Sequence, residues 1–399
     1  MTMATQSGLK QRIYLDNAAT TWPKPESVYA AVDAYQRDLG APAGRGAAQA
    51  SIEADRIIEQ LRQRLRQLCH APASTQVILG FNGTDVLNTA IHGVLAPGDH
   101  AIATVVDHNS VLRPLTTLAE RGLIELTIVD SNDQGVLDVS QLEQALRPQT
   151  KLVAFPHASN VTGAIQPLES VAELVQQHST LLLVDAAQTL GHIPLDLSQI
   201  PIDMLASSGH KGLLGPLGTG VLLLSEALAT TMSTLRQGGT GTDSETPTQP
   251  ATLPAKLEAG SPNLPGLAGL KAGVEYVLEN WQQIRADEMA RMSELIAGLS
   301  RLGPVRLLGP PTAAERVGVC SLTIDGIDPH ELASILDSVH NIQVRAGLQC
   351  APRMHERLDT KGMGGTVRVS VGPFSQASDV AALVTAVTEY VQWNFDSVA

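Results

Sequence analysis

From Gln76 to Leu224, short apolar runs alternate with segments of helical period: Val77-Ile78-Leu79, Ala101-Ile102-Ala103, Ile124-Glu125-Leu126-Thr127-Ile128, Leu152-Val153-Ala154-Phe155, Leu181-Leu182-Leu183-Val184 and Val221-Leu222-Leu223-Leu224. Runs that are apolar on both faces suit a mostly parallel sheet buried between layers of helices, so this stretch predicts an α/β fold. In such sheets ligands sit beyond the carboxyl ends of the strands. The polar residues just after the runs are therefore the first functional suspects: Asp107-His108-Asn109, His157-Ala158-Ser159-Asn160 and Asp185-Ala186-Ala187-Gln188. Farther on, Gly238 to Pro254 is rich in Gly, Thr and Pro without apolar period and predicts a long loop near a lobe boundary. Helical patterns over about Leu264–Leu278 and Trp281–Leu302 follow, then an α+β tail with strands at Val317–Leu322 and Val367–Val371 and a last helix at about Ala377–Trp393.

Composition narrows the class. A chain of 399 residues exceeds what one core usually fills, so a large domain with a smaller second one is expected, and a cleft between them. A net charge of -13 without any basic run argues against nucleic acid, whose phosphates need a clustered basic surface. No apolar stretch reaches membrane-spanning length, and Met1 to Ser7 lacks the basic and apolar regions of a signal peptide, which predicts a cytoplasmic protein. Cys69, Cys320 and Cys350 are too scattered for a disulfide framework or a zinc site, and the histidines form no ligand pair, so no metal is expected. Cys69 continues the pattern Leu61, Leu65, Leu68 and Cys320 lies in an apolar run, which predicts two core thiols. Cys350 lies in a polar, Gly-containing segment with Arg345 and Arg353 nearby, where a reactive thiolate is favoured.

The strongest single feature is Ser207-Ser208-Gly209-His210-Lys211-Gly212, a lysine in a small Gly-rich turn between two apolar strands. Alone, such a lysine is usually a solvated charge. Its company changes the reading. Asp185 ends a buried run, where a carboxylate must be paired, and a protonated pyridine nitrogen is one such partner. A satisfied structural Asp is the bland alternative. Gln188 stands three residues on, where it can donate to a phenolic oxygen, and His108 follows another run, where it can lie on a ring face or be an ordinary buried histidine. The turn Phe81-Asn82-Gly83-Thr84-Asp85 opens a helix, and its free N–H groups and the Thr84 hydroxyl suit either a phosphate or a plain N-cap. Gly215 to Gly220 has neither dinucleotide nor Walker spacing and leads into a strand, which excludes a nucleotide loop.

As an ordered set, these segments resemble the class V aminotransferase group of pyridoxal-phosphate (PLP) enzymes, and within it the cysteine desulfurases with a short cysteine loop. The resemblance spans nearly the whole chain, through Tyr14-Leu15-Asp16-Asn17-Ala18-Ala19-Thr20-Thr21, Asp107-His108-Asn109-Ser110, His157 to Gly163, Val184-Asp185-Ala186-Ala187-Gln188, Ser208-Gly209-His210-Lys211, Glu258 to Asn263 and Arg345-Ala346-Gly347-Leu348-Gln349-Cys350. It implies PLP transferase fold type I, with an N-terminal arm (1–24) packed on the small domain, a large PLP-binding domain (25–260) and a small C-terminal domain (261–399). It also implies a Schiff base on Lys211, Asp185 on the pyridine nitrogen, Gln188 on the phenolic oxygen and His108 stacked on the ring. Gly83, Thr84, Ser208 and His210 would hold the phosphate together with the partner subunit's Ser261 in a homodimer. Asn160 and Arg368 would bind the substrate carboxylate, with Arg345 supporting the loop of Cys350.

The implied reaction takes sulfur from L-cysteine onto Cys350 as a persulfide and releases L-alanine. Many similar chains carry His beside the catalytic cysteine, whereas here that position is Gln349. Only 18 positions separate Cys350 from Arg368, the mark of the short-loop group, which commonly works with a sulfur-accepting protein. A cysteine C-S lyase, a selenocysteine lyase, an aminotransferase and an idle dimeric scaffold are the competing readings on the same fold.

Overall fold

The computed structural model describes residues 12–44, 48–241 and 245–395. The stretch from Met1 to Ser7, read above for a signal segment, and the rest of 1–11 in the expected arm lie outside the described residues. In chain order the elements are β1 (Ile13–Tyr14), α1 (Glu26–Ala34), α2 (Gln49–Leu68), β2 (Thr75–Gly80), α3 (Gly83–Val94), β3 (His100–Thr104), α4 (Asn109–Glu120), β4 (Glu125–Val129), α5 (Val139–Ala145), β5 (Thr150–Pro156), α6 (Leu168–Gln176), β6 (Leu181–Asp185), β7 (Met204–Ser208), β8 (Gly220–Ser225), α7 (Glu226–Thr231) and α8 (Leu264–Leu299). The C-terminal part adds β9 (Val305–Leu308), β10 (Val319–Ile324), α9 (Pro329–His340), β11 (Ile342–Gln343), β12 (Arg345–Gly347), α10 (Pro352–Arg357), β13 (Thr366–Ser370) and α11 (Ala377–Phe395).

The large sheet runs β2-β8-β7-β6-β5-β3-β4. All its pairs are parallel except those of β8, which lies antiparallel to both β2 and β7. The fold is thus α/β with a mostly parallel sheet, as the apolar runs predict. Alternation along each strand sends neighbouring residues to opposite faces. Val77, Ile102, Val153, Leu182, Val184, Leu205 and Leu223 meet α2, α6 and the first half of α8 on one face. Ile78, Ala101, Ala103, Leu152, Ala154, Leu183 and Leu222 meet α3 and α4 on the other. The strand of this sheet missing from the apolar runs named above is β7, whose run Met204-Leu205-Ala206-Ser207-Ser208 ends in serines instead of continuing apolar. Because β7 returns directly into antiparallel β8, the intervening residues form a loop at the carboxyl end of β7. Lys211 stands in it.

The second sheet runs β12-β13-β10-β9, antiparallel throughout, and packs with α9, α11 and the second half of α8 around Leu295, Cys320, Leu322, Val369 and Leu383. The sequence pattern suggests two helices between Leu264 and Leu302, but α8 is continuous across the junction. Asn280, a residue that often breaks helices, turns its Nδ2 back to the Tyr276 carbonyl at 2.8 Å and so stays within the helix. Leu267, Leu270 and Val274 belong to the large-sheet core, whereas Met292, Leu295 and Leu299 belong to the small-sheet core. One helix therefore joins both lobes. The loop ahead of it is longer than expected: among the described residues no helix or strand lies between Thr231 and Leu264. The arm makes a second connection. Its β1 pairs with β11 and Leu15 enters the small core, while Thr21 Oγ1 donates to the Lys211 carbonyl at 2.5 Å. No described helix is long and apolar enough to cross a membrane.

Candidate active site

A cavity of about 280 Å³ opens beyond the carboxyl ends of β3, β5, β6 and β7. Lys211, Asp185, Gln188 and His108 line it, as do Gly83, Thr84, Ser208 and His210. Asn160, Arg345, Arg368 and Cys350 close it from the other side. Of the site residues read from the sequence only Ser261 lies elsewhere, exposed in the loop before α8.

At one end of the cavity α3 begins. Asn82 caps it by accepting the Asp85 N–H at 2.9 Å, and the next two residues, Gly83 and Thr84, line the cavity. The start of the helix approaches β7 so closely that a Cβ on Gly83 would stand 3.3 Å from the Ser208 Cβ. Thr84 Oγ1 and Ser110 Oγ lie 2.7 Å apart. Ser208 Oγ and His210 Nδ1 are buried without any hydrogen-bond partner in the chain, the condition of groups that a bound ligand would complete. Burial holds His210 down to about 4, so its ring is neutral. A helix N-terminus with added side-chain donors in a dry corner fits the phosphate of PLP.

In the middle of the cavity Asp185 ends β6 and accepts one hydrogen bond, from the Ala187 N–H at 2.9 Å. Burial raises its pKa, opposed by that bond and by the charge of Lys211. Burial likewise lowers Lys211 to about 8, with Asp185 pulling the other way. His108 caps α4 by accepting the Ser110 N–H on Nδ1 at 3.0 Å, which places its proton on Nε2. Burial, followed by the Lys211 charge, holds His108 down to about 4. Gln188 donates to the Ala18 carbonyl at 3.2 Å, so the arm reaches this point too. A carboxylate with room for a cationic N–H, a neutral imidazole and an amine of lowered pKa fit a pyridinium ring condensed through its carbonyl carbon.

The opposite end contains residues that sequence reading missed. Arg345 and Arg368 face each other on adjacent strands, a repulsive placement without an anion between them. Asp16 of the arm supplies it, with Oδ1 accepting from Arg368 Nη2 at 2.9 Å and Oδ2 from Arg345 Nε at 3.2 Å. Arg368 Nη1 donates to the Asn160 carbonyl at 3.1 Å, and its buried Nε has no partner. Asp16 belongs to the first family-like segment, but nothing local announces a partner more than three hundred residues away. Asp107 stands among the strand-end suspects, but the sequence reading gave it no role. It is fully buried, accepts the Thr104 N–H at 2.7 Å, and burial pushes it up to about 8.

Cys350 alone of the three cysteines is exposed, and it lines the cavity together with Lys211 and Arg368. Cys69 and Cys320 are buried in the two cores, and burial pushes Cys69 up to about 12. Those two thiols are core residues, as their sequence pattern predicts.

The architecture and its strand-end cleft are those of fold type I PLP enzymes. The chain belongs to the class V aminotransferase family, whose model (Aminotransferase class-V) matches residues 13–383 and whose members depend on PLP. It is 32% identical to a probable cysteine desulfurase of Methanothermobacter thermautotrophicus over 94% of each chain. It is 32% identical to another from Pyrococcus abyssi, over 95% of this chain and 94% of that one. Among solved structures, the apo cysteine desulfurase of Thermococcus onnurineus superposes with a TM-score of 0.88 at 31% identity, covering 96% of this chain and 95% of that one. The cysteine desulfurase CsdA of Escherichia coli, in its S-sulfonic acid form, superposes at 0.83 with 28% identity and the same coverage.

Proposed function

We propose that the protein is a PLP-dependent cysteine desulfurase that converts L-cysteine to L-alanine and keeps the sulfur as a persulfide on Cys350. One observation carries this choice among the reactions open to the family: an exposed thiol lines the same cavity as half-buried Lys211 and buried Asp185. PLP, when bound, supplies a carbonyl that condenses with the substrate amine and a conjugated ring that takes up the electron pair released at the α-carbon. Lys211 would hold the cofactor at rest, and its amine, when free, would take the α-proton. Asp185 would pair with the protonated ring nitrogen, Gln188 would meet the phenolic oxygen and His108 would lie on the ring. Gly83, Thr84, Ser208 and His210 would hold the phosphate.

The substrate carboxylate docks on Asn160 and on the free Nε edge of Arg368. Cys350 as thiolate attacks the substrate sulfur: the S–S bond forms, the Cβ–S bond breaks, and its electron pair returns to the substrate carbon, which is then protonated to give alanine. Ser261, exposed in one protomer, suits a contact to the phosphate of a second protomer in a homodimer. A persulfide at the surface suits delivery to a sulfur-accepting protein, and a catalytic free thiol suits the reducing cytoplasm.

The experiment is anaerobic incubation of the Cys350→Ala variant with L-cysteine, with alanine, pyruvate and persulfide quantified together. The variant still binds cysteine and perturbs the cofactor spectrum, yet yields neither persulfide nor stoichiometric alanine. Continued release of sulfide with pyruvate would instead make the protein a C-S lyase, which needs no enzyme thiol.

A further inference from the structure

Gln349 and Cys350 are consecutive non-glycine residues in the left-handed region, at φ +40° and +60°. Side chains disfavour that region, so the turn persists only where its surroundings hold it. Four attachments do so. The Gln349 Nε2 donates to the Thr366 carbonyl on β13 at 3.0 Å, and its own carbonyl accepts from Asn160 Nδ2 at 2.6 Å. The Cys350 carbonyl accepts the Asn109 N–H at 2.8 Å. Gln349 Oε1 lies 2.8 Å from His355 Nε2 and also accepts from Thr366 Oγ1 at 3.2 Å.

That last attachment has a definite polarity. An amide oxygen only accepts, so the proton of His355 sits on Nε2 and Nδ1 takes the Thr360 hydroxyl at 2.8 Å. His355, Thr360 and Thr366 are all fully buried. Both ring nitrogens are committed to holding bonds, and burial keeps the ring neutral by lowering it to about 4. The imidazole attached to the residue before Cys350 is therefore unsuited to carry protons.

We propose that Gln349 and His355 are positioning residues: they clamp the left-handed turn of Cys350 so that its thiol stands ready for the substrate sulfur without a loop movement. This rests on the reading of Cys350 as the sulfur acceptor. It also gives Gln349 a role: the amide beside the nucleophile serves geometry, with donor and acceptor ends both engaged.

The test uses the PLP-loaded enzyme with Gln349→Ala, Gln349→Met and His355→Ala. In single-turnover mixing with L-cysteine, all three are expected to reach the substrate-bound cofactor spectrum as the parent does. Persulfide then forms about 10²-fold more slowly per loaded site, the effect expected of a nucleophile misplaced by about an ångström. The Leu348 to Ala351 amides exchange with solvent faster, because Ala351 N–H on the Leu348 carbonyl is the bond closing the turn. Methionine matches glutamine in length and lacks its bonds, so a parent-like rate in Gln349→Met would overturn the clamp, as would unchanged amide exchange. If buried His355→Ala fails to fold, the two variants at half-buried Gln349 still decide. Absence of persulfide in the parent would refute the reading of Cys350, while the exchange measurement would still judge the clamp.

Discussion

The two ends of the cavity are built on opposite principles. The end formed by α3 and β7 leaves its polar groups waiting: Ser208 Oγ and His210 Nδ1 have no partner and Asp185 accepts a single bond. The end formed by the arm and the small sheet has paired most of its groups, with Asp16 between two arginines and Gln349 bonded at both ends of its amide, and leaves the Arg368 Nε open. A resident cofactor explains the first, since donors that are always occupied need no internal substitute. A substrate that comes and goes explains the second, since buried charges must stay paired between turnovers. The waiting end is assembled from loops on one rigid sheet; the paired end joins residues from the arm, β12 and β13.

Substitutions break this comparison at predictable places. Lys211→Ala removes both the attachment point and the base. Turnover should fall by about 10²–10⁴-fold or more, and borohydride reduction of the parent should leave a phosphopyridoxyl group on Lys211 that mass spectrometry locates. A label elsewhere would undo the site assignment. Asp185→Asn keeps the shape and removes the charge, so PLP stays bound while α-proton removal, followed by loss of deuterium from the substrate, slows by about 10²–10³-fold. Near-normal proton removal would refute its role on the ring nitrogen.

At the paired end the expected loss is in folding. Asp16→Ala leaves the buried Arg368 facing Arg345 without an anion, and urea unfolding should show a loss of about 3 kcal/mol. A stability within error of the parent would mean that the triad is not a structural lock. A pH-dependent effect concerns Asp107. Burial lets it keep its proton up to about 8 when folded, whereas an unfolded Asp releases it near about 3.9. The native state therefore binds more protons across that window, so stability falls as pH rises, by up to about 1.4 kcal/mol per pH unit from this group. Asp107→Asn should flatten that slope in unfolding measured from pH 5 to 8, and an unaltered slope would show that Asp107 ionises freely.

The two ends also differ in how well they could be read. Each waiting residue stands just after a strand or at a helix start, in a short run of neighbours: Gly83-Thr84, Asp185 with Gln188, Ser208 to Lys211. Strand periodicity places such residues on one edge of a sheet, so the sequence pattern carried them there. Asp16 and His355 gave no such signal. A single Asp after a two-residue strand and a His in a one-and-a-half-turn helix acquire meaning only from Arg368 and Gln349, which other elements bring alongside.

By itself the sequence determined the alternation of buried strands and helices, the two core thiols and the set of residues at the strand ends, because each depends on spacing along a short stretch of chain. Tertiary structure decided that α8 runs unbroken through both lobes, that the arm crosses from the small core to the Lys211 loop, and which groups are paired and which are left waiting. The physical reason is the same in each case. Continuity of a helix, neutralisation of a guanidinium and satisfaction of a buried donor depend on which distant segments come into contact, and only the packed chain specifies that.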